Sequence, residues 1–146
     1  MTKKVEKIVL HGRGVVDGDV TGRALVMKKS LSFWSGLNPL TGTLRRGQVE
    51  PENVGRSVKG KILVYPFGKG STAGGGILYF ACMNGFAPLA VINIKLDTVV
   101  ANGVIATNTP TVIELDKDPI KIIKTGDLVR VDATNGIVEV FKEINE

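Results

Sequence analysis

Residues 59–76 decide how this chain folds: Lys59-Gly60-Lys61-Ile62-Leu63-Val64-Tyr65-Pro66-Phe67, then Gly68-Lys69-Gly70-Ser71-Thr72-Ala73-Gly74-Gly75-Gly76. The apolar, partly β-branched run Ile62–Tyr65 reads as a buried strand that stops at Pro66. Glycines dominate residues 68–76, with Lys69, Ser71 and Thr72 set among them. Ile77-Leu78-Tyr79-Phe80-Ala81-Cys82 then resumes an apolar pattern compatible with a helix over Gly74–Asn84, closed by Asn84-Gly85 as a left-handed C-cap. Strand, glycine loop and helix together bring bare N–H groups and a helix N-terminus up to an anion. Ser71 carries the hydroxyl that such a field would act on.

Downstream, Pro88 precedes a strand over Leu89–Ile94, and Asp97 is placed to N-cap a short helix over Thr98–Asn102 that Gly103 would end. A further strand is expected at Val112–Leu115. These are two strand–helix–strand passages, 62–94 and 89–113, of the kind that builds parallel sheet. Upstream, Val5–Leu10 and Ala24–Met27 read as strands separated by turn-rich residues 12–22. Leu31–Trp34 is a short apolar patch running into a loop at 35–39, and polar residues 41–59 read as an excursion over the surface. In the tail, Leu128–Val131 and Ile137–Phe141 flank Asp132-Ala133-Thr134-Asn135-Gly136, whose Asn-Gly pair marks a hairpin. The expectation is one α/β domain over residues 1–146, with mixed β-sheets and few short helices.

Eighteen of the 146 residues are glycine, well above the ~7% of ordinary proteins, which favours short strands joined by tight turns. No apolar run approaches the ~20 residues of a membrane span, and the first residues lack a signal-peptide core. A single cysteine, Cys82, excludes an internal disulfide. These features lead us to expect a cytoplasmic protein. The net charge of +5 is dispersed, and the few aromatics do not interleave with Arg or Lys, which argues against a nucleic-acid partner.

The glycine loop fits neither standard phosphate fingerprint. Lys69 is followed by Gly70, not by Ser or Thr, and Ala73 takes the last position of GxGxxG. A loop of small residues that simply lets a helix pack closely on a strand is the plainer reading. With one His (His11) and one Cys (Cys82), the chain is too poor in ligands for a zinc or iron–sulfur site. His11 reads as a loop histidine and Cys82 as a small core residue. Trp34 suits either a core or a substrate contact. Ser71 thus has no obvious base on its own chain and needs groups from elsewhere.

The chain resembles the small subunits of the aconitase X family, stand-alone counterparts of the mobile swivel domain of aconitase. The resemblance rests on Gly22-Arg23-Ala24-Leu25-Val26, Leu31-Ser32-Phe33-Trp34-Ser35-Gly36, Gly60–Val64 with Pro66–Thr72, and Gly85-Phe86-Ala87-Pro88. It continues through Asn102–Ala106, Thr109-Pro110-Thr111-Val112 and Gly126–Asp132. It implies a swivelling β/β/α domain that closes over a large catalytic subunit carrying an iron–sulfur cluster, with no metal held by this chain.

The resemblance implies one of two family activities. One is a phosphomevalonate dehydratase, which removes water from (R)-5-phosphomevalonate to give trans-anhydromevalonate 5-phosphate, a step of isoprenoid precursor synthesis. The other is a cis-3-hydroxyproline dehydratase. Residues 91–93 and 97–100 look more like the first branch. The family serine maps onto Ser71, implied to take the proton beside the substrate carboxylate while iron acts as Lewis acid on the departing hydroxyl. Gly70, Thr72, Ala73 and Lys69 are implied around the small phosphorylated substrate. This loop departs from the serine-rich GSxSGS form by having Ala73-Gly74-Gly75 after Thr72. A rival reading is a non-catalytic anion-binding or phospho-carrier swivel module, which the tail hairpin also suits. With the active-site loop facing the large subunit, Phe33-Trp34 and residues 68–73 are expected near one interface.

Overall fold

A computed structural model describes residues 3–145. Strands β1 (Lys3–His11), β2 (Arg13–Val16) and β3 (Asp19–Val26) open the chain, followed by a short helix α1 (Phe33–Gly36) and the small strands β4 (Leu37–Asn38) and β5 (Thr43–Leu44). Then come β6 (Ile62–Val64), α2 (Gly74–Met83), β7 (Ala90–Ile92), α3 (Thr98–Thr107), β8 (Thr111–Ile113), α4 (Pro119–Ile122), β9 (Leu128–Asp132) and β10 (Ile137–Asn145).

The expected β6–α2–β7 and β7–α3–β8 passages are present. Both give parallel pairs, and β3 joins β6 in parallel as well. The full sheet runs β1-β10-β9-β3-β6-β7-β8-β2. Its two edges, β1 and β2, are consecutive in the chain with only Gly12 between them, so the sheet curls until its edges meet. β6 alternates between two cores. Ile62 and Val64 enter the interior of the curled sheet, while Leu63 and Tyr65 face the layer formed with α1, α2 and α3. Both faces are buried, which is why this strand reads as a continuous apolar run.

Several expectations need correction. Residues 12–22 are mostly strand, in β2 and β3, and not turn. Gly14 is there for room, because a Cβ on it would run into the Ala133 carbonyl of the β9–β10 turn. Residues 35–39 are not all loop: Ser35 and Gly36 complete α1, with β4 directly after them. The 41–59 stretch is no loose excursion, since Leu44, Val58 and Asn53 are buried and Asn53 Nδ2 donates to the Val26 carbonyl at 3.1 Å. α3 does not stop at Gly103 but runs to Thr107 and ends at left-handed Asn108. Gly103 instead lets α3 cross α2, its backbone N lying 3.1 Å from where a Cβ of Gly75 would be. α4 was not foreseen; its four residues are too few to show a helical period.

Candidate functional site

The glycine loop lies beyond the carboxyl end of β6, the end at which parallel strands ordinarily offer ligand sites. Residues 67–69 are held by Leu31, whose N–H donates to the Phe67 carbonyl (3.2 Å) and whose carbonyl accepts from Lys69 N (3.1 Å). Two glycines are obligatory for reasons that the sequence did not reveal. A Cβ on Gly68 would sit 2.5 Å from Val100 Cγ2 and 2.7 and 2.8 Å from the two Asp97 carboxylate oxygens. Gly70 has φ of +87°, and a Cβ there would strike Ser32 Oγ. Ser32 and Asp97 are therefore walls of this loop, and each also N-caps a helix: Ser32 accepts from Ser35 N at 3.4 Å, Asp97 from Val100 N at 3.0 Å.

Ser71 is exposed and lies two residues before Ala73, the N-cap of α2. Its Oγ accepts the Ala73 N–H at 3.2 Å, and its carbonyl accepts Gly74 N–H at 2.9 Å. A donor directed at this oxygen favours the alkoxide over the alcohol, as does the positive end of α2. Among the described residues, the N–H groups of Gly70, Ser71 and Thr72 have no partner within the chain. α1, α3 and α4 are each capped by a side chain, from Ser32, Asp97 and Asp118; α2 has none, Ala73 occupying its N-cap. Lys69, Gly70, Thr72 and Ala73 are exposed around Ser71, so the loop brings all five sequence candidates together.

Beneath the loop, Asn93 Nδ2 donates to the Tyr65 carbonyl at 3.0 Å, while Tyr65 OH and Asn93 Oδ1 are buried without partners. Burial pushes the Tyr65 phenol well above its ordinary pKa, and the Asp97 carboxylate adds to this. No motif pointed to this pair.

The two residues of the apolar patch part company. Phe33 is 1% exposed and packs edge-to-face on Tyr65, with ring centroids 6.3 Å apart. Of the Phe33-Trp34 pair expected near one interface, Phe33 is therefore part of the core. Trp34 is 54% exposed, so it is no core anchor. Cys82 packs against the helix-side core, and burial raises its thiol pKa, opposed by Thr107. His11 ends β1, its backbone N–H bound to Asp116 Oδ1 at 3.0 Å. Among the described residues no three His, Cys, Asp or Glu side chains converge as metal ligands, so the donor set of this chain does not fit a cluster. No helix among them is long and apolar enough to cross a membrane.

Residues 9–140 match the model of the aconitase X swivel domain. The chain belongs to this family. A phosphomevalonate dehydratase small subunit of Methanocella arvoryzae is 44% identical over 131 residues, covering 89% of this chain and 97% of that protein. One from Methanosarcina acetivorans is 39% identical, covering 92% of each. A crystal structure of Thermococcus kodakaraensis aconitase X in its holo-form superposes with a TM-score of 0.85 at 41% identity, over 91% of this chain and 98% of that one. The swivel fold expected from the resemblance is thereby shown for this chain.

Proposed function

We propose that this chain is the small subunit of a phosphomevalonate dehydratase, a hydro-lyase active only when paired with a large subunit. In this reading the chain is one swivel domain, and Ser71 takes the proton from the carbon beside the carboxylate of (R)-5-phosphomevalonate. Hydroxide departs from the adjacent carbon, and the products are trans-anhydromevalonate 5-phosphate and water. The observation that carries the reading is the exposed Ser71 Oγ receiving the Ala73 N–H at the uncapped start of α2. A serine is a feeble base unless its alkoxide is stabilised, and these groups supply that stabilisation. The N–H groups of Gly70 and Thr72, with Lys69, are left to bind the anionic substrate. An iron–sulfur cluster, for which no ligand set converges among the described residues, would belong to the large subunit and supply the Lewis acid.

The large subunit would approach from the α1–α2 side. Trp34 is exposed there, as are Tyr79 (45%), Phe80 (56%) and Met83 (66%) on α2, an apolar display that a partner would cover. The relatives at 38–44% identity carry the phosphomevalonate name, which favours that substrate over a hydroxyproline. The test is reconstitution. The purified chain alone should show no turnover of 5-phosphomevalonate, and the pair should show it; turnover by the chain alone overturns the reading.

A further inference from the structure

Among the described residues some cations are held by carboxylates and others are not. On the strands near the termini and around the curled sheet's seam they are paired: Lys3 with Glu143, Lys7 with Glu139, Arg13 with Glu114, Lys142 with Asp127, and Arg130 with Asp19, Asp132 and Glu139. Arg23, Arg56 and Lys61 have no carboxylate partner among the described residues. All three line one hollow of about 450 Å³, whose wall also includes Ser57 and Thr125. That volume falls within the range of small-molecule sites. No carboxylate lines it. Glu143 borders a neighbouring hollow with Arg23 but is paired with Lys3. The adjoining hollow, which shares Arg56 and Thr125 with this one, holds Glu50 and Glu52 with Lys28 and Lys124; neither glutamate lies within ion-pair distance of Arg56, and Glu50 is engaged by the N–H groups of Lys28 and Lys29 and by the Asn53 amide.

The polar groups of the hollow are set to donate. Arg23 Nη1 is anchored on the Gly126 carbonyl at 3.3 Å, which leaves its other N–H groups free. Thr125 Oγ1 accepts from Val26 N at 3.0 Å and Ser57 Oγ from Lys59 N at 3.1 Å, so each hydroxyl has its proton still to give. Two guanidinium forks, an ammonium and two hydroxyl donors, with no acidic side chain, are the chemistry of a multiply charged phosphoryl anion. Lys61 precedes β6, whereas the Ser71 loop comes after it, so this hollow opens at the other end of the strand.

We propose that the hollow between β3, residues 56–61 and residues 125–126 is a second anion site, for a diphosphate or similarly charged phosphorylated small molecule, separate from the Ser71 loop. The inference does not depend on any role of Ser71. Inorganic pyrophosphate is the probe. Titrated calorimetrically into the full chain at low salt, it should bind saturably, with backbone NMR shifts centred on Arg56, Lys61, Thr125 and Gly126. Arg56→Ala combined with Lys61→Ala should weaken the binding read at those residues at least about tenfold with an unchanged melting temperature, and Lys69→Ala should leave the shifts of Arg56, Lys61, Thr125 and Gly126 as they were. Equal loss of the shifts in sulfate and in chloride of matched ionic strength would reveal a diffuse counter-ion effect and overturn the proposal. Weakening of those shifts by Lys69→Ala alone would overturn it too, since the anion would then sit at the glycine loop. So would unaltered binding by the double variant.

Discussion

The glycine loop and the tail hairpin are both tight turns crowded with polar groups, and they use those groups in opposite ways. In the hairpin of β9 and β10, Arg130 reaches Asp19 at 2.6 Å and Glu139 at 2.9 Å, and Asp132 accepts from both the backbone and the side chain of Asn135. Its polar groups satisfy one another and secure the curled sheet. The loop at 68–73 is just as constrained sterically, by Ser32, Asp97 and Val100, yet its hydroxyls, its lysine and several amides face outward. A turn that spends its hydrogen bonds on itself serves the fold. One that is held rigid while its donors stay open is prepared for something outside the chain.

The sharpest way to break that contrast is Ser71→Ala in the assembled enzyme. Loss of a general base should lower kcat by ~10² to 10⁴, while the melting temperature stays put, because water satisfies the exposed amide left behind and an exposed hydroxyl is worth well under ~1 kcal/mol. Retention of more than about a tenth of the rate would make the serine structural. Thr72→Ala, which keeps the amide, should act more mildly.

Gly68→Ala tests whether the loop's rigidity matters. The new methyl would press on Val100 and the Asp97 carboxylate, so chemical denaturation should show a loss of about 1–3 kcal/mol together with reduced turnover. Wild-type behaviour in both would mean that the walls yield freely. Gly76→Ala is the converse. Nothing lies within 4 Å of a Cβ there, so an α2 relieved of an exposed glycine should gain about 0.5–1 kcal/mol, read as a higher denaturation midpoint.

On the hairpin side, Arg130 holds the carboxyls of Asp19 and Glu139 below their usual range, Glu139 with help from Lys7. A carboxyl with a depressed folded pKa contributes stability above its ordinary value and loses it as the pH falls through the folded one. Melting temperature should therefore decline as the pH drops below about 4.5, the ordinary value for Glu139. The decline should be shallower in Arg130→Ala and in high salt. An unchanged acid limb would show that the hairpin pairs contribute nothing. Smallest of all should be Tyr65→Phe, which removes a buried hydroxyl that has no partner. Its effect on denaturation should stay within about 1 kcal/mol, and a larger loss would point to a buried water on that oxygen.

Much of the fold was readable because its signals are local. The apolar run at 62–65, the glycines after it, Asp97 as an N-cap and the Asn-Gly turn at 135–136 each act within a few residues. Two of the misreadings share one cause. Gly14 and Gly103 looked like breaks, yet each is a glycine because another segment passes close by, the Ala133 carbonyl in one case and Gly75 of α2 in the other. Local sequence cannot distinguish a glycine that bends the chain from one that makes room for a neighbour.

The candidate site divides along the same line. From the sequence alone came Ser71 and its flanking residues, because a strand, a glycine loop and a helix start must present backbone donors at that point. Tertiary structure alone decided that Ser32 and Asp97 wall the loop, that Phe33 is buried while Trp34 is not, and that Arg23, Arg56 and Lys61 meet in one hollow. Ser32 and Asp97 lie far in the chain from the loop they wall, and Arg23 from Arg56 and Lys61, and only the pairing of strands around two cores brings them together.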